Sequence, residues 1–319
     1  MRYKIMIKFI VTTTINLPTK ATLKFAQIAK EKGWQFIIVG DLKTPHTQYA
    51  ALEDKAGHVV YLHPETQDKL YPELSNVIGW KTIQRRNIGF VYAYQKGADI
   101  IATVDDDNIP YDNWGENLLV GTTCEVDEYK NRYCDYFDPF SVTNQKHLWH
   151  RGFPIECLDL KNNIDLIGKA KVFCSVQADF WDGDPDIDAI CRLTSKPLVK
   201  FDRFSPFIAK QPAPFNSQNT FLHRSVFPNY SVWPGVGRMD DIWAGYNYRA
   251  LRTKGHDIVY CPASVYQERN PQDLVKNLEN ECIGYRHTKQ FIDSLADPAA
   301  PCVPEKVQQF LDIYKNQFK

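Results

Sequence analysis

The sequence predicts an α/β fold with a mostly parallel sheet and helices on both faces of that sheet. Two observations predict it: apolar runs alternate with segments of helical periodicity, and glycines stand where the helical segments end. Repeated β-α-β units make neighbouring strands parallel, because each helix returns the chain to the same end of the sheet. At 319 residues, the chain can bury a substantial core as one large domain or two small ones.

The strands and helices of the first third of the chain follow from their periodicity. We predict these ranges: strands at 4–14, 34–41 and 99–104, and helices at 19–33 and 79–98. Gly33 and Gly97 end the two helices, because glycine adopts the left-handed backbone of a helix C-terminus without strain. The order of these elements is the β-α-β pattern of a parallel sheet.

The overall composition argues against some classes of function. The chain has 38 basic and 38 acidic residues, and this balance disfavours a general binder of nucleic acids or membrane surfaces. No apolar stretch reaches the roughly 18 residues of a membrane span, and Lys4 and Lys8 interrupt the apolar start, which disfavours a signal peptide. The 8 cysteines contain no CxxC pair, which favours free, buried thiols over a zinc site. We therefore expect a soluble, cytoplasmic protein.

Three consecutive carboxylates, Asp105, Asp106 and Asp107, come directly after the strand predicted at 99–104. In a parallel sheet, ligands bind beyond the carboxyl ends of the strands. Adjacent carboxylates there can hold Mn²⁺ or Mg²⁺, while waters and a diphosphate complete the coordination of the metal. The alternative is a solvated acidic turn, which the following Asn108 favours. The residues of this turn alone leave both interpretations open.

The stretch RRNIGFVYAYQKGADIIATVDDDN, residues 85–108, places this turn in a wider motif. It resembles the Arg-Asn-x-Gly helix, apolar strand and Asp-x-Asp of nucleotide-sugar-dependent glycosyltransferases with the Rossmann-like GT-A fold. By this resemblance Arg86 and Asn87 lie near the nucleotide, and Asp105 and Asp107 contact the ribose or the metal. An exposed polar helix start is the alternative for Arg86 and Asn87.

Further segments resemble, in the same order, motifs of the STELLO glycosyltransferases and of the related reversibly glycosylated polypeptides, which include UDP-arabinopyranose mutases. They are HRGFPIE at 150–156, GDPDIDAICRLT at 183–194, FNSQNTFLHRSVFP at 215–228 and GRMDDIWAGYNYRAL at 237–251. The resemblance covers about residues 80 to 290. It implies a single GT-A domain over 1–319, with the following parts: a nucleotide-sugar-binding half at 1–125, an acceptor-side half at 126–290 and a C-terminal helix at 291–319.

The segment at 237–251 contains the candidate catalytic residues. Asp240 and Asp241 fall where a helix is predicted to begin, so one of them can cap that helix and leave the other for chemistry. Resemblance to the transferases makes one of them an acceptor-binding group or general base, and we favour Asp241. Trp243 follows them and is expected to form a wall beside a sugar.

Arg151 matches the arginine that becomes glycosylated in the reversibly glycosylated polypeptides. Its guanidinium could also hold a diphosphate or sugar through paired hydrogen bonds, or form a structural ion pair with an acid such as Glu156. We rank contact with the diphosphate or sugar first, structural pairing second and covalent glycosylation last.

The remaining candidates are weaker. The four aspartates in DGDPDIDA suggest a calcium loop, but Pro185 and the missing later Glu depart from the EF-hand pattern. By the resemblance, Asp186 and Asp188 are sugar-binding or loop-bracing groups, and Asn219 is a substrate-binding residue. His287 is a candidate metal ligand, because some GT-A enzymes use a histidine near the C-terminus.

The resemblance implies a metal-dependent glycosyltransferase that moves a sugar from a nucleotide-sugar, expected to be a UDP-sugar, to a hydroxyl acceptor. The implied cofactor is Mn²⁺ or Mg²⁺, and the implied partners are the donor and a glycan or other hydroxyl acceptor. Two alternatives stay open: a mutase that interconverts ring forms of a UDP-sugar, and a non-catalytic scaffold that binds nucleotide-sugars. A helix pair predicted at 270–295 and 303–318 is typical of amphipathic packing or of a homodimer contact.

Overall fold

The computed structural model describes residues 6–319, so the beginning of the strand predicted at 4–14, with Lys4, lies outside the described residues. The strands are β1 (Lys8–Thr14), β2 (Gln35–Gly40), β3 (Val59–Leu62), β4 (Ile100–Val104), β5 (Asn108–Pro110), β6 (Thr123–Asn131), β7 (Ile164–Gly183), β8 (Phe207–Ala209), β9 (Asn219–His223) and β10 (His256–Gln267). The helices are α1 (Lys20–Lys32), α2 (His46–Ala56), α3 (Pro64–Leu70), α4 (Pro72–Ile78), α5 (Arg86–Gln95), α6 (Ala189–Ser195), α7 (Asp240–Leu251), α8 (Leu274–Asp293) and α9 (Glu305–Asn316).

Within residues 6–319 the ten strands form one sheet in the order β3-β2-β1-β4-β9-β7-β6-β8-β10-β5. The first four neighbours, β3, β2, β1 and β4, are all parallel, as the β-α-β pattern predicts. From β9 onward the pairing is mixed, because β9 runs antiparallel to both β4 and β7. The predicted α/β class is confirmed, and the parallel arrangement holds for the first half of the sheet. Both sequence halves, 1–125 and 126–290, contribute strands to this sheet.

Helices cover both faces of the parallel half of the sheet. Phe25 of α1 packs against Phe36 of β2, with ring centroids 6.1 Å apart. On α5, a Cβ added at Gly89 would meet side-chain atoms of Val11 at 2.5 Å and Val39 at 2.9 Å. Since alternate residues of a strand point to opposite faces, Phe36 and Val39 place α1 and α5 on opposite sides of β2. Because Gly89 has no side chain, α5 can lie directly on the sheet at this point.

The helix ends agree with the sequence in some places and differ in others. Thr19 caps α1 and Gly33 ends it at φ +68°, as predicted. The helix predicted at 79–98 is shorter, because α5 begins only at Arg86 and a 3₁₀ turn, Ile83–Arg85, precedes it. The side chain of Thr82 caps this turn, so the chain enters α5 through a bend that periodicity does not reveal.

The last third of the chain contains the predicted helix pair as α8 and α9. The boundary predicted at residue 291 falls inside α8, which continues to Asp293. All eight cysteines are free thiols, as predicted. In the part of the chain that the structure describes, no helix has both the length and the apolar character needed to span a membrane.

Candidate active site

A cavity of about 350 Å³ opens beside the carboxyl ends of β4 and β10 and the beginning of α7. Six of its lining residues are site candidates that the sequence singled out. Those residues are Asp105, Asp107, Arg151, Asp186, Asp240 and Asp241. The fold therefore gathers polar groups from four separate motifs at the edge of the sheet where ligands of α/β proteins bind. We call this space the acidic cavity.

Asp105 is held by a buried arginine at the start of α5. Nη2 of Arg86 donates to Oδ1 of Asp105 at 2.5 Å, and Nη1 of Arg86 donates to the backbone and side-chain oxygens of Ser217 at 3.0 and 2.9 Å. The Arg86 side chain is 1% exposed, whereas that of Asp105 is 26% exposed. Arg86 itself does not line the cavity, and it orients Asp105, which does.

The next two carboxylates face different directions. Asp106 accepts hydrogen bonds from the Thr14 hydroxyl and from Nδ2 of Asn16, and it lines a second cavity of about 300 Å³ at the ends of β1 and β2. Asp107 faces the acidic cavity and accepts from the backbone N–H of Asn270 at 3.2 Å. Burial and the nearby charge of Asp105 raise the pKa of Asp107 to about 7. The triplet thus borders two neighbouring cavities.

The pair Asp105 and Asp107 fits a divalent cation. Both carboxylates border one cavity, and their mutual repulsion raises the pKa of Asp107, which a bound cation would relieve. Mg²⁺ and Mn²⁺ need only one or two protein carboxylates when waters and phosphate oxygens supply the other ligands. Among residues 6–319, no three His, Cys, Asp or Glu side chains are grouped so that they alone could hold a metal. The fit is therefore to a metal shared with a substrate.

Asp240 and Asp241 begin α7 but have different surroundings. Oδ2 of Asp241 accepts from the backbone N–H and the hydroxyl of Ser217 at 2.8 and 3.0 Å, and Oδ1 lies 3.2 Å from Nη1 of Arg151. Oδ2 of Asp240 accepts from Nε2 of Gln84 at 2.8 Å. Burial and the charge of Asp241 raise the pKa of Asp240 to about 7. Oδ1 of Asp240 accepts from the backbone N–H of Asp241 at 3.0 Å, whereas Oδ1 of Asp241 is buried without a hydrogen-bond partner among residues 6–319. Asp240 is the carboxylate that takes up a proton near neutral pH.

Arg151 joins this pair to Asp186. Its Nε and Nη2 donate to Oδ2 of Asp186 at 3.2 and 2.8 Å, and its Nη1 donates to the backbone oxygen of Arg238. All three nitrogens are therefore engaged, and the residue is only 6% exposed. This arrangement is the structural pairing that the sequence ranked second, made with Asp186 rather than Glu156. Arg151 still borders the cavity, but its free hydrogen-bonding capacity is small.

Asp186 is the counter-ion of several guanidinium groups. Besides Arg151, Nη2 of Arg238 lies 3.3 Å and Nη2 of Arg269 lies 3.8 Å from its Oδ1. Burial alone would raise the pKa of Asp186, but the three cations outweigh it and hold the pKa well below its usual range. Asp186 is therefore ionised at neutral pH, and it braces the wall of the acidic cavity.

Several predicted site residues lie outside the acidic cavity, and each has a structural partner. Asn87 pairs both amide atoms with the backbone of Val232, and Asn219 bonds to Phe180, Ser264 and Trp114. Asp188 caps α6. Trp243 donates to Thr288 and stacks on Phe291, and His287 lies 3.4 Å from Oε1 of Gln290 on α8. The structure does not bring these five residues (Asn87, Asp188, Asn219, Trp243 and His287) to the cavity that holds Asp105 and Asp107.

Some lining residues were not predicted from the sequence. Gln84, Arg238 and Arg269 all border the acidic cavity. Arg269 follows the end of β10, so the rule that ligands lie beyond strand ends could have indicated it. Arg238 lies two residues before Asp240 in the motif at 237–251. For Gln84, which lies in the 3₁₀ turn before α5, the sequence contains no comparable signal.

Comparison with known proteins places these motifs in a family context. Over 282 residues the chain is 25% identical to the probable glycosyltransferase STELLO2 of Arabidopsis thaliana, and over 280 residues it is 25% identical to STELLO1 of the same plant. The chain resembles the STELLO glycosyltransferases. This confirms the resemblance drawn from the motifs. No protein-family model matches the chain.

The two STELLO matches cover 82% and 81% of this chain but only 35% of each relative. The chain thus spans about a third of the length of the curated relatives it matches. The lining residues of the acidic cavity lie on segments spread from residue 83 to residue 280. The matches therefore concern one part of each STELLO protein and not its whole length.

Proposed function

We propose that the protein is a metal-dependent glycosyltransferase that moves a sugar from a nucleotide-sugar, preferably a UDP-sugar, to a hydroxyl acceptor. The observation that carries this proposal is the acidic cavity itself. It combines two carboxylates suited to a shared divalent cation with a third carboxylate, Asp240, whose pKa of about 7 suits a general base. The STELLO resemblance supports the same reaction class.

The donor would lie across the two cavities that border residues 105–107. The second cavity, at the ends of β1 and β2, has room for part of a nucleotide at about 300 Å³, and Asp41, Lys43 and Lys81 line it. Its lining shares Ile83 with the acidic cavity, so the two spaces adjoin. A nucleoside in the second cavity would direct its diphosphate toward Asp105 and Asp107.

The residues that would hold Mn²⁺ or Mg²⁺ are Asp105 and Asp107. When bound, such a cation neutralises the negative charge that develops on the departing nucleoside diphosphate. Arg86 keeps Asp105 in place through the 2.5 Å contact and is itself fixed by Ser217. The backbone N–H of Asn270 fixes Asp107 in the same way.

Asp240 would serve as the base for the acceptor. Its carboxylate takes the proton of the acceptor hydroxyl while that oxygen forms a bond to the anomeric carbon, and the bond from that carbon to the diphosphate oxygen breaks. The pKa of about 7 gives Asp240 a balance between being ionised at neutral pH and being basic enough to take the proton. We assign this role to Asp240 rather than to Asp241, which the sequence favoured, because Asp240 is the carboxylate whose pKa is raised to about 7, while Asp241 holds Ser217 through two hydrogen bonds.

The test is chromatography of the nucleotide pool after incubation with UDP- and GDP-sugars, with Mn²⁺ or with chelator. The variant of choice is Asp107→Asn. We expect it to lower metal-stimulated nucleotide release by about a hundredfold, as loss of a charge-stabilising group at a developing anion does. Asp112→Asn is the matched control, because Asp112 lies shortly after Asp107 in the chain, beyond β5, with its side chain 98% exposed.

Two results would contradict the proposal. Normal release by Asp107→Asn would remove the metal role of the pair. Conversion of a donor to an isomeric nucleotide-sugar, with no released nucleotide, would replace the transferase with a mutase. A melting curve that matches the wild type shows that the variant is folded, and so separates loss of function from loss of structure.

A further inference from the structure

A second binding site lies away from the acidic cavity, in a groove of about 710 Å³ over β7 and β10. None of its lining residues borders the acidic cavity. We call it the Asp179 groove and define it by Tyr111, Gln177, Asp179, Lys200, Phe204 and Ser264. Asp179 and Gln177 lie on the same face of β7, because alternate residues of a strand point to one face, and both line the groove. Asp179 also borders a small space beside His150.

A bulge in β10 makes room for this groove. Cys261 pairs with Asp179 and Val265 pairs with Trp181, so the three residues at 262–264 stand opposite Phe180 alone. The extra residues carry β10 away from β7 and turn Ser264 toward Asp179. Bulges of this kind occur next to functional sites more often than elsewhere in sheets.

Asp179 is the unusual group in the groove. Its residue is 7% exposed, and no Lys, Arg or His lies within ion-pair distance of it among residues 6–319. Nε2 of Gln177 donates to its Oδ1 at 2.8 Å, and the Ser264 hydroxyl lies close enough to lower its pKa. Burial raises the pKa of Asp179 to about 7. A buried carboxylate without a cation opposes folding, so its presence at the floor of a groove points to a ligand.

The charges around the groove disfavour an anionic ligand. Lys200 and Arg203 are the basic residues of the lining, and they are outnumbered by four acids, Glu116, Asp179, Asp182 and Asp202. A polar ligand without negative charge fits this balance.

Phe204 and Tyr111 add aromatic surface to the same groove, and both are half-buried. A sugar ring can pack its apolar C–H face against an aromatic ring. Its hydroxyls can donate hydrogen bonds to a carboxylate, and these bonds are strengthened by the charge of the acceptor. The volume of about 710 Å³ lies within the usual range of ligand sites, roughly 300–1,000 Å³.

We propose that the Asp179 groove binds neutral sugar units of a carbohydrate, with Asp179 bonding to hydroxyls and Phe204 packing against a ring. The groove is a second carbohydrate site that would hold part of a glycan away from the acidic cavity. The choice of a carbohydrate as ligand rests on the proposed function. The absence of negative charge on that ligand rests on the acidic residues of the groove.

The test is saturation-transfer NMR of the full chain with neutral probes, namely cellohexaose, xylohexaose and mannohexaose, and with inorganic phosphate as the anionic probe. We expect at least one hexasaccharide to bind the wild type, and Phe204→Ala and Asp179→Ala each to weaken its binding about tenfold, the scale of one lost charge-assisted hydrogen bond or ring contact. Leu198→Ala is the matched control, because Leu198 is 77% exposed and lies outside the groove.

The proposal is overturned if no neutral hexasaccharide binds the wild type, or if Phe204→Ala binds as tightly as Leu198→Ala. It is also overturned if phosphate binds and Arg203→Ala abolishes that binding. Phe204 is half-buried, whereas Asp179 is buried, so the Phe204 variant, checked by its melting curve, keeps the test valid even where Asp179→Ala unfolds. The Asp107→Asn variant separates the two proposals: hexasaccharide binding that persists without nucleotide release supports the groove independently of the acidic cavity.

Discussion

Replacing Asp179 with asparagine should stabilise the fold at neutral and alkaline pH. Asparagine has nearly the same shape, can accept the hydrogen bond that Gln177 donates, and carries no charge to bury. The pKa of Asp179 is about 7 in the folded protein, against its ordinary value of 3.8. The folded protein therefore binds this proton more tightly than the unfolded chain does, and the wild type loses stability relative to Asp179→Asn as the pH rises from about 4 to 7.

The size of the effect follows from the same shift. A difference of about three pKa units corresponds to about 4 kcal/mol in the free energy of unfolding, at 1.36 kcal/mol per unit. This is an upper value, because water in the groove solvates the carboxylate in part. Above pH 7 Asp179 is ionised in both states, so the advantage of Asp179→Asn levels off there.

The assay is urea unfolding followed by tryptophan fluorescence, at intervals from pH 4.5 to pH 8.5, for the wild type, Asp179→Asn and Asp202→Asn. Asp202 is an exposed carboxylate at the rim of the same groove, so its replacement should change the free energy of unfolding little at any pH. A difference between Asp179→Asn and the wild type that is below about 1 kcal/mol at pH 8, or that does not change with pH, would refute the reasoning.

Three further predictions follow from single sites. The rate of nucleotide release should fall below pH 7 as Asp240 is protonated, and at pH 6 it should be about a tenth of the plateau rate at high pH. Asp240→Asn should remove most of the rate. Profiles of kcat/KM against pH for the wild type and the variant check both expectations. Gly152→Ala should lower the free energy of unfolding by roughly 3 kcal/mol, because φ is +79° and the new Cβ would lie 2.3 Å from Cγ2 of Ile242; urea unfolding measures this. Leu295→Asn should raise the free energy of unfolding by roughly 0.5–1 kcal/mol, since Leu295 has φ +60° and is 80% exposed and asparagine tolerates that backbone better. In a chain of 319 residues this corresponds to a rise in Tm of about one degree, and an unchanged or lower Tm would contradict the prediction.

The parallel half of the sheet could be predicted because its signals are local. Thr19 and Gly33 mark both ends of α1, and each strand of the β-α-β pattern is a continuous apolar run. The mixed half could not, because β7 is 20 residues long and only its last part is buried, so its pattern is not uniform. Which strands β7 pairs with depends on contacts distant in sequence.

Only part of the candidate site could be predicted, again because the signals in a sequence are local. Motifs identified the segments that converge, including Asp105, Asp186 and Asp240, but a motif does not separate ligand-facing residues from their supports. Trp243 illustrates this: its helix α7 is apolar around most of its circumference, which is typical of a buried helix and predicts a core position for Trp243. Asn87 likewise serves the backbone of Val232 rather than a ligand.

The two carboxylates of the Asp-x-Asp motif are not equivalent, and experiments on them need separate interpretation. Asp105 is the counter-ion of Arg86, which is 1% exposed, so removing its charge leaves a buried guanidinium without an acid, a change that destabilises proteins by about 3–5 kcal/mol. Asp107 has no such partner at hydrogen-bond distance among residues 6–319, and it is held by the backbone of Asn270 and by Gln267. Loss of activity in Asp105→Asn is therefore what either a missing metal ligand or a disordered α5 would produce. Only Asp107→Asn separates the chemistry of the acidic cavity from its architecture.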